Sequence, residues 1–386
     1  MSVNHDRLNI KAAQQRIPLN GAFELTPLCN FKCRMCYVRQ DPERVSACGG
    51  LRGIDFWLDI AEQARDAGFL FPLITGGEPF TYPGFRTLYE QMHRMGLQLC
   101  INSNGSLIDE AAVDWLVQSA PGRINITLYG GTPEAYGRLC GNPGAFERVL
   151  HAADLMTEAG ILFRFNCSLT PDNAEDFDRI LEIGQRYGKP VRFATYMFPS
   201  LRGKGEIGTN AARFAPEQSA YYEVLMNYRQ TEPAVFRRLA RQCTGFVELT
   251  EEQLRAAEAG EPGKARCVAG RRSVWLDWQG NLSGCGVYMR PSYSLDEYSF
   301  ADAWKKIVEY TDALRWGPAC HNCPNARLCF TCPAAVYNET GSFSGRPLYL
   351  CEKAKYAAKW YQHFAEQLPD GEEEKAAEDF TPDCPL

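Results

Sequence analysis

From about residue 20 to residue 230, short apolar runs alternate with longer stretches in which apolar residues recur every three or four positions. The short runs Ala22–Leu25, Leu70–Thr75, Leu97–Asn102, Ile124–Leu128, Leu162–Leu169 and Val191–Met197 predict strands. The longer stretches Phe56–Ala67, Phe85–Met95, Glu110–Ser119, Ala145–Ala159 and Ala174–Tyr187 predict amphipathic helices. Gly68, Gly96, Gly160 and Gly188 close four of them, as C-terminal caps do. Six strand–helix units in series call for a parallel sheet, as an open barrel or a doubly wound sheet. Either puts a site at the carboxyl ends of the strands.

Near residue 231 this alternation stops. Residues 243–351 hold eight of the sixteen cysteines, and one hairpin stands out: Ser273–Trp278, a Gln279-Gly280-Asn281 turn, then Leu282–Met289. Four segments are expected: an N-terminal extension (1–20), an α/β unit (21–230), a bridging and cysteine-rich unit (231–365) and an acidic tail (366–386).

Composition narrows the function classes. At 45% apolar and 23% charged residues the chain reads as globular, and no run approaches the 18 apolar residues of a membrane span. The polar N-terminus has no apolar stretch of a signal peptide, so a cytoplasmic protein without a membrane partner is expected. The net charge of −6 comes from residues 370–383, which hold seven acids and one base; without them acids and bases balance. A balanced body has no electrostatic footprint for nucleic acid. Sixteen cysteines without a secretory signal point to metal binding or catalysis rather than disulfides.

Strand one runs into Cys29-Asn-Phe-Lys-Cys33-Arg-Met-Cys36. Thiolates favour iron–sulfur clusters and zinc, and a closed site normally takes four ligands. On spacing alone this triplet suits either three-quarters of a structural zinc site or a cluster with one metal position left open. C-x3-C-x2-C after the first strand of a βα series resembles the radical S-adenosylmethionine (SAM) superfamily. That resemblance implies a partial (β/α)6 barrel of TIM type and a 4Fe–4S cluster held by Cys29, Cys33 and Cys36. It also implies SAM chelated to the open iron and cleaved to a 5′-deoxyadenosyl radical that abstracts hydrogen. Met35 departs from the aromatic residue usual there and is expected to pack on the adenine side.

Thr75-Gly76-Gly77-Glu78-Pro79 at the end of strand two resembles the superfamily's GGEP motif. Its glycines let carbonyls approach the SAM ammonium and Glu78 is expected to pair with it. Asn102-Ser103-Asn104-Gly105 at the end of strand three resembles the segment lining the cofactor. By the same resemblance Thr127 and Asn166 face the ribose and carboxylate; Arg148 is either a further partner of the carboxylate or a surface arginine of its helix.

Cys267, twelve residues, Gly280, four residues and Cys285 are followed by Cys320-x2-Cys323-x5-Cys329-x2-Cys332 and then Cys351. This array resembles the SPASM domain, which carries two auxiliary 4Fe–4S clusters. The resemblance assigns Cys320, Cys323, Cys329 and Cys351 to one cluster, and Cys267, Cys285 and Cys332 to the other. Cys243 is the candidate fourth ligand, with a buried free thiol as its other reading, and an open iron could instead bind a substrate thiolate. Cys100 and Cys167 fall in strands, Cys48 and Cys140 in loops near the sheet's mouth, and Cys384 in the tail.

SPASM proteins mostly modify peptides or proteins, by crosslinking or oxidising a residue of a ribosomal precursor peptide. Ile126–Gly131, with Tyr129, Tyr136 and Arg138, resembles that branch. Enzymes that mature sulfatases carry an Asp directly after the hairpin cysteine, where this chain has Gly286. About twenty residues precede strand one, so leader recognition is expected from a separate protein or from the barrel. Flavodoxin or ferredoxin is the expected electron donor. A maturase for a larger protein, a small-molecule enzyme and a zinc-binding scaffold are the competing readings.

Overall fold

The computed structural model describes residues 3–200, 202, 213–265, 267–329 and 332–368; Cys384 and the acidic stretch 370–383 lie outside them. Six parallel strands stand where alternation places them: β1 (Asn20–Glu24), β2 (Phe71–Thr75), β3 (Cys100–Ser103), β4 (Arg123–Thr127), β5 (Phe163–Ser168) and β6 (Arg192–Ala194). They pair in chain order, with Glu24 opposite Thr75, Ser103 opposite Ile126 and Thr127 opposite Asn166, so their carboxyl ends come level. The remaining strands are β7 (Gly263–Lys264), β8 (Ser273–Leu276), β9 (Asn281–Ser283), β10 (Ser292–Ser294) and β11 (Arg315–Trp316), with β7 and β11 forming a separate ribbon.

The hairpin is not set apart from this sheet. β8 pairs in parallel with β1 and β9 continues it antiparallel, giving the order β10-β9-β8-β1-β2-β3-β4-β5-β6 among the described residues. No described pairing joins β6 to β10, so the sheet is an open, partial barrel.

Helices of the first half are α1 (Val3–Gln15), α2 (Pro42–Ala47), α3 (Ile54–Asp66), α4 (Phe85–Arg94), α5 (Glu110–Gln118), α6 (Pro133–Cys140), α7 (Ala145–Glu158) and α8 (Phe177–Arg186). Local chemistry starts and stops them. The Asp109 carboxylate accepts the Ala112 N–H at 2.9 Å, and the Thr132 hydroxyl accepts that of Ala135 at 3.2 Å with Pro133 in the first turn. Gly68, Gly96, Gly160 and Gly188 take positive φ just past helix ends. The second half adds α9 (Pro216–Gln230), α10 (Pro233–Cys243), α11 (Glu251–Glu258), α12 (Phe300–Ala313), α13 (Pro318–His321), α14 (Ala326–Cys329), α15 (Pro333–Thr340) and α16 (Leu348–Glu366). No helix is long and apolar enough to cross a membrane.

Strand residues alternate between two unlike surroundings. Phe23, Ile74, Ile101, Ile124, Ile126, Phe163 and Phe165 join the main core with Trp57, Leu88, Leu116 and Val149 of the helices. Each fully buried side chain of this size stabilises the fold by roughly 1.5–3 kcal/mol. The other faces of the same strands carry Glu24, Asn102, Asn125, Thr127, Asn166 and Ser168. The barrel therefore has a polar inner wall. A second apolar cluster joins Val224, Phe236, Leu239, Tyr361 and Phe364 of α9, α10 and α16.

Candidate active site

The loop after β1 holds all three cysteines of the triplet and is tied down by its neighbours' backbone. The Lys32 and Arg34 N–H groups donate to the carbonyls of Cys140 and Leu139 at 3.0 Å, both at the end of α6. The sequence placed Cys140 in a loop; it is instead the last helical residue, buried, beneath the triplet. Backbone N–H groups point at the sulfurs: Phe31 at Cys29 and Arg39 at Cys36, each at 3.3 Å. Burial pushes the Cys29 thiol up to about 12. A hydrogen bond with the Cys140 thiol, then burial, pushes Cys33 up as well. Such sulfurs hold a charge only beside a cation, while the N–H groups aimed at them are what a coordinated thiolate wants. On this chemistry the triplet fits an iron–sulfur cluster.

The motif after β2 packs directly on this loop. A Cβ on Gly77 would lie 2.2 Å from the Leu28 carbonyl oxygen, and one on Gly76, whose φ is +154°, 2.4 Å from that of Thr26. The Gly77 and Glu78 N–H groups donate to the carbonyls of Thr26 and Leu28, at 2.6 and 2.9 Å. Only glycine permits so close an approach.

Glu78, the expected ammonium partner, is held in place by protein donors. Its side chain is wholly buried; Oε1 accepts from Ser103 Oγ at 2.9 Å and the Phe80 N–H at 3.2 Å, and Oε2 from the Asn104 N–H at 2.7 Å. All of these donors are protein groups, so the carboxylate ties the β2 end to the β3 end. Asn104 extends the network, donating from Nδ2 to Asn30 Oδ1 at 2.8 Å and towards Cys29 Sγ at 3.9 Å. Burial raises the Glu78 carboxyl to about 7, against the hydrogen bonds that lower it. Pro79 is buried at the start of a 3-10 turn.

Of the other predicted contacts, Asn102 accepts from Asn125 Nδ2 at 2.6 Å on the inner wall. Thr127 and Asn166 stand opposite one another, half-buried on the same wall. Met35 is buried with Leu139 and Met197, flanked by Tyr129. Arg148 is exposed on the first turn of α7, with no ion pair among the described residues.

The later cysteines fall into groups. Charge on Cys351, Cys329 and Cys323 acts on the Cys320 thiol after burial, and charge on Cys285 and Cys267 acts on Cys332. Backbone N–H groups again face sulfur: Ala269 at Cys267, Val287 at Cys285 and Ala335 at Cys332, at 3.3–3.4 Å. Cys243 is placed elsewhere, at the end of α10 with the helical cluster, where burial and the Glu223 carboxylate raise it and Tyr361 bonds it. The packing of α10 on α16, not cysteine spacing, fixes that position. Cys100 and Cys167 lie in β3 and β5, and Cys48 is exposed after α2.

Sequence reasoning missed one set of residues at the mouth. Glu24, Arg202, Tyr37 and Trp275 meet between the triplet and the hairpin; Arg202 pairs with Glu24, and Trp275 Nε1 donates to Glu24 at 3.1 Å. The sequence signal was a lone acid ending a buried strand. Gly286, beside Cys285, lies under Trp275, where a Cβ would come within 2.5 Å of the ring.

Residues 23–183 match the model of the radical SAM superfamily. The chain thus carries a radical SAM domain, and it is an enzyme. The superfamily works with a 4Fe–4S cluster and SAM, which are therefore its cofactors. The chain is 22% identical over 339 residues to the AdoMet-dependent heme synthase of Methanosarcina barkeri, covering 86% of this chain and 95% of that one. It is 23% identical over 328 residues to the antilisterial bacteriocin subtilosin biosynthesis protein AlbA of Bacillus subtilis, covering 82% and 67%. In fold it is similar to SuiB of Streptococcus suis bound to S-adenosylmethionine, with a TM-score of 0.61 at 17% identity over 90% of this chain and 79% of that one.

Proposed function

We propose that this enzyme modifies a residue of a peptide substrate, giving a crosslinked or otherwise oxidised product. Cys29, Cys33 and Cys36 would hold the SAM-binding cluster, and the two later groups would hold auxiliary clusters. When bound, the cluster and SAM supply one-electron chemistry that ends in a hydrogen-abstracting carbon radical. The chain's own residues do the rest. Gly76 and Gly77 bring backbone against the triplet, Glu78 fixes the β3 loop, and the wall of Asn102, Thr127 and Asn166 offers hydrogen bonds to a polar cofactor. Arg148, with no ion pair among the described residues, is suited to a carboxylate.

The observation that carries the peptide reading is the group Cys267, Cys285 and Cys332. Among the described residues it has three thiols, Cys243 sits against Tyr361 and Glu223, and Cys285 lies close to Tyr37 of the triplet loop. A group with three thiols among the described residues, close to the triplet loop, suits a substrate that brings its own sulfur. The name of AlbA, a bacteriocin biosynthesis protein, supports a peptide. A sulfatase-type maturase is disfavoured because Trp275 fills the space an Asp at position 286 would need. The heme synthase relative, matched along 95% of its length, favours a small-molecule substrate as the second reading.

The test is anaerobic reconstitution, iron and sulfide analysis, and release of 5′-deoxyadenosine from SAM under dithionite. About twelve irons per chain, four per cluster, with deoxyadenosine formed is the expected result. Cys29→Ala should abolish release and keep about eight irons. Two or three zincs and no SAM cleavage would leave a metal scaffold. Mass spectrometry of a short peptide encoded beside the gene, against a porphyrin, separates the two substrate readings.

A further inference from the structure

β1 ends on a buried charge that the cofactor chemistry leaves unused. Glu24 is 1% exposed; its Oε2 accepts from the Arg202 guanidinium and from Trp275 Nε1. Its Oε1 is sealed from solvent and has no hydrogen-bond partner among the described residues. In the same ion pair the Arg202 Nε–H is also buried and also without a partner among the described residues. Arg202's remaining side-chain contacts are soft: the Met289 thioether sulfur at 3.9 Å and the Tyr37 ring, whose centroid lies 5.4 Å from the guanidinium carbon. An unmet buried donor or acceptor costs about 1–3 kcal/mol. Two of them, of opposite kind and in one ion pair, call for an explanation.

The position supplies one. Tyr37 follows Cys36 directly, and Met289 closes the hairpin loop that begins at Cys285. The pair thus sits between the triplet and the second cysteine group. Glu24 is sealed, but the Arg202 side chain is 19% exposed, so approach is from the arginine side.

We propose that Glu24 and Arg202 form the docking point for one amide of the substrate. Glu24 Oε1 accepts its N–H, and Arg202 Nε–H donates to its carbonyl. The ion pair itself carries no net charge and buried Asp277 adds a negative field at both groups, which turns away an anion and leaves a neutral ligand acceptable. A carboxylate could take the arginine hydrogen but would face the Glu24 charge and leave Oε1 unmet; an ammonium has the opposite defect. An amide carries both groups, and a peptide presents one at every residue. The assignment to a peptide rests on the proposed function; the unmet pair does not.

The experiment soaks anaerobic crystals of the reconstituted enzyme with N-methylacetamide or with propionate at equal concentration. Amide density within hydrogen-bond distance of both atoms, with none from propionate, is the expected outcome. The double variant Glu24→Met, Arg202→Met should lose that density. It removes both partners, so neither charge is left buried alone and the protein should still fold. Propionate on Arg202 without amide, amide density retained in the double variant, or neither ligand bound would each overturn the proposal. Bound amide in an enzyme that turns over porphyrin but no peptide would overturn the peptide reading and keep the docking point.

Discussion

Glu78 Oε2 accepts the backbone N–H of Asn104 at 2.7 Å, joining the carboxyl ends of β2 and β3. A buried carboxyl with a pKa raised to about 7 makes stability depend on pH in a definite direction. Between about pH 4.5 and about pH 7 the unfolded chain loses this proton first, so the folded state binds more protons and stability falls as pH rises. The full shift corresponds to on the order of 3 kcal/mol. Melting curves of the metal-free protein across this window should show that loss. The loss should be absent from Glu78→Gln, whatever constant offset the lost acceptor adds; equal slopes would refute the assignment.

Gly77→Ala would drive a methyl group to 2.2 Å from the Leu28 carbonyl, one residue before Cys29. Backbone must shift, at a cost of roughly 2–4 kcal/mol. The expected result is a lower melting temperature together with poorer iron uptake by the triplet. Unchanged values for both would mean that the loop yields freely.

Arg148→Met should weaken SAM binding by about 10- to 100-fold, the range of a charge-assisted hydrogen bond, with little change in melting temperature for an exposed residue. Equilibrium dialysis of labelled SAM against the reconstituted enzyme reads it. Wild-type affinity in the variant would show that the guanidinium does not meet the cofactor.

Cys243→Ala should keep all the iron, because its thiol faces Tyr361 and Glu223, whereas Cys332→Ala should lose about four irons. Loss of one cluster from Cys243→Ala, by iron analysis and electron paramagnetic resonance, would restore Cys243 as a ligand.

What could be read from the sequence depended on whether the signal was local. The six strands and the helices between them repeat over short windows, and residues such as Gly68 and Asp109 mark helix ends, so alternation was enough to find them. The triplet and the Gly76-Gly77-Glu78 motif were legible because each is a short run fixed at a strand end. The Glu24–Trp275 hydrogen bond spans 251 positions, and the β1–β8 pairing has a similar range, so no window of sequence contains either. The charge of Glu78 was legible in the sequence, but not the three donors from β3 and the following turn that hold it. Cys243 was offered to the second group on residue type alone, while helix packing decides where it stands.

The seating of β1 between β2 and β8 sets a limit on how this chain can be divided. A fragment ending near residue 230 would keep the triplet yet strip one side of the strand that leads to it. Its exposed N–H and carbonyl groups would then recruit any passing strand, including another copy of itself. The half of the molecule that resembles a complete catalytic barrel is thus the half least able to live alone.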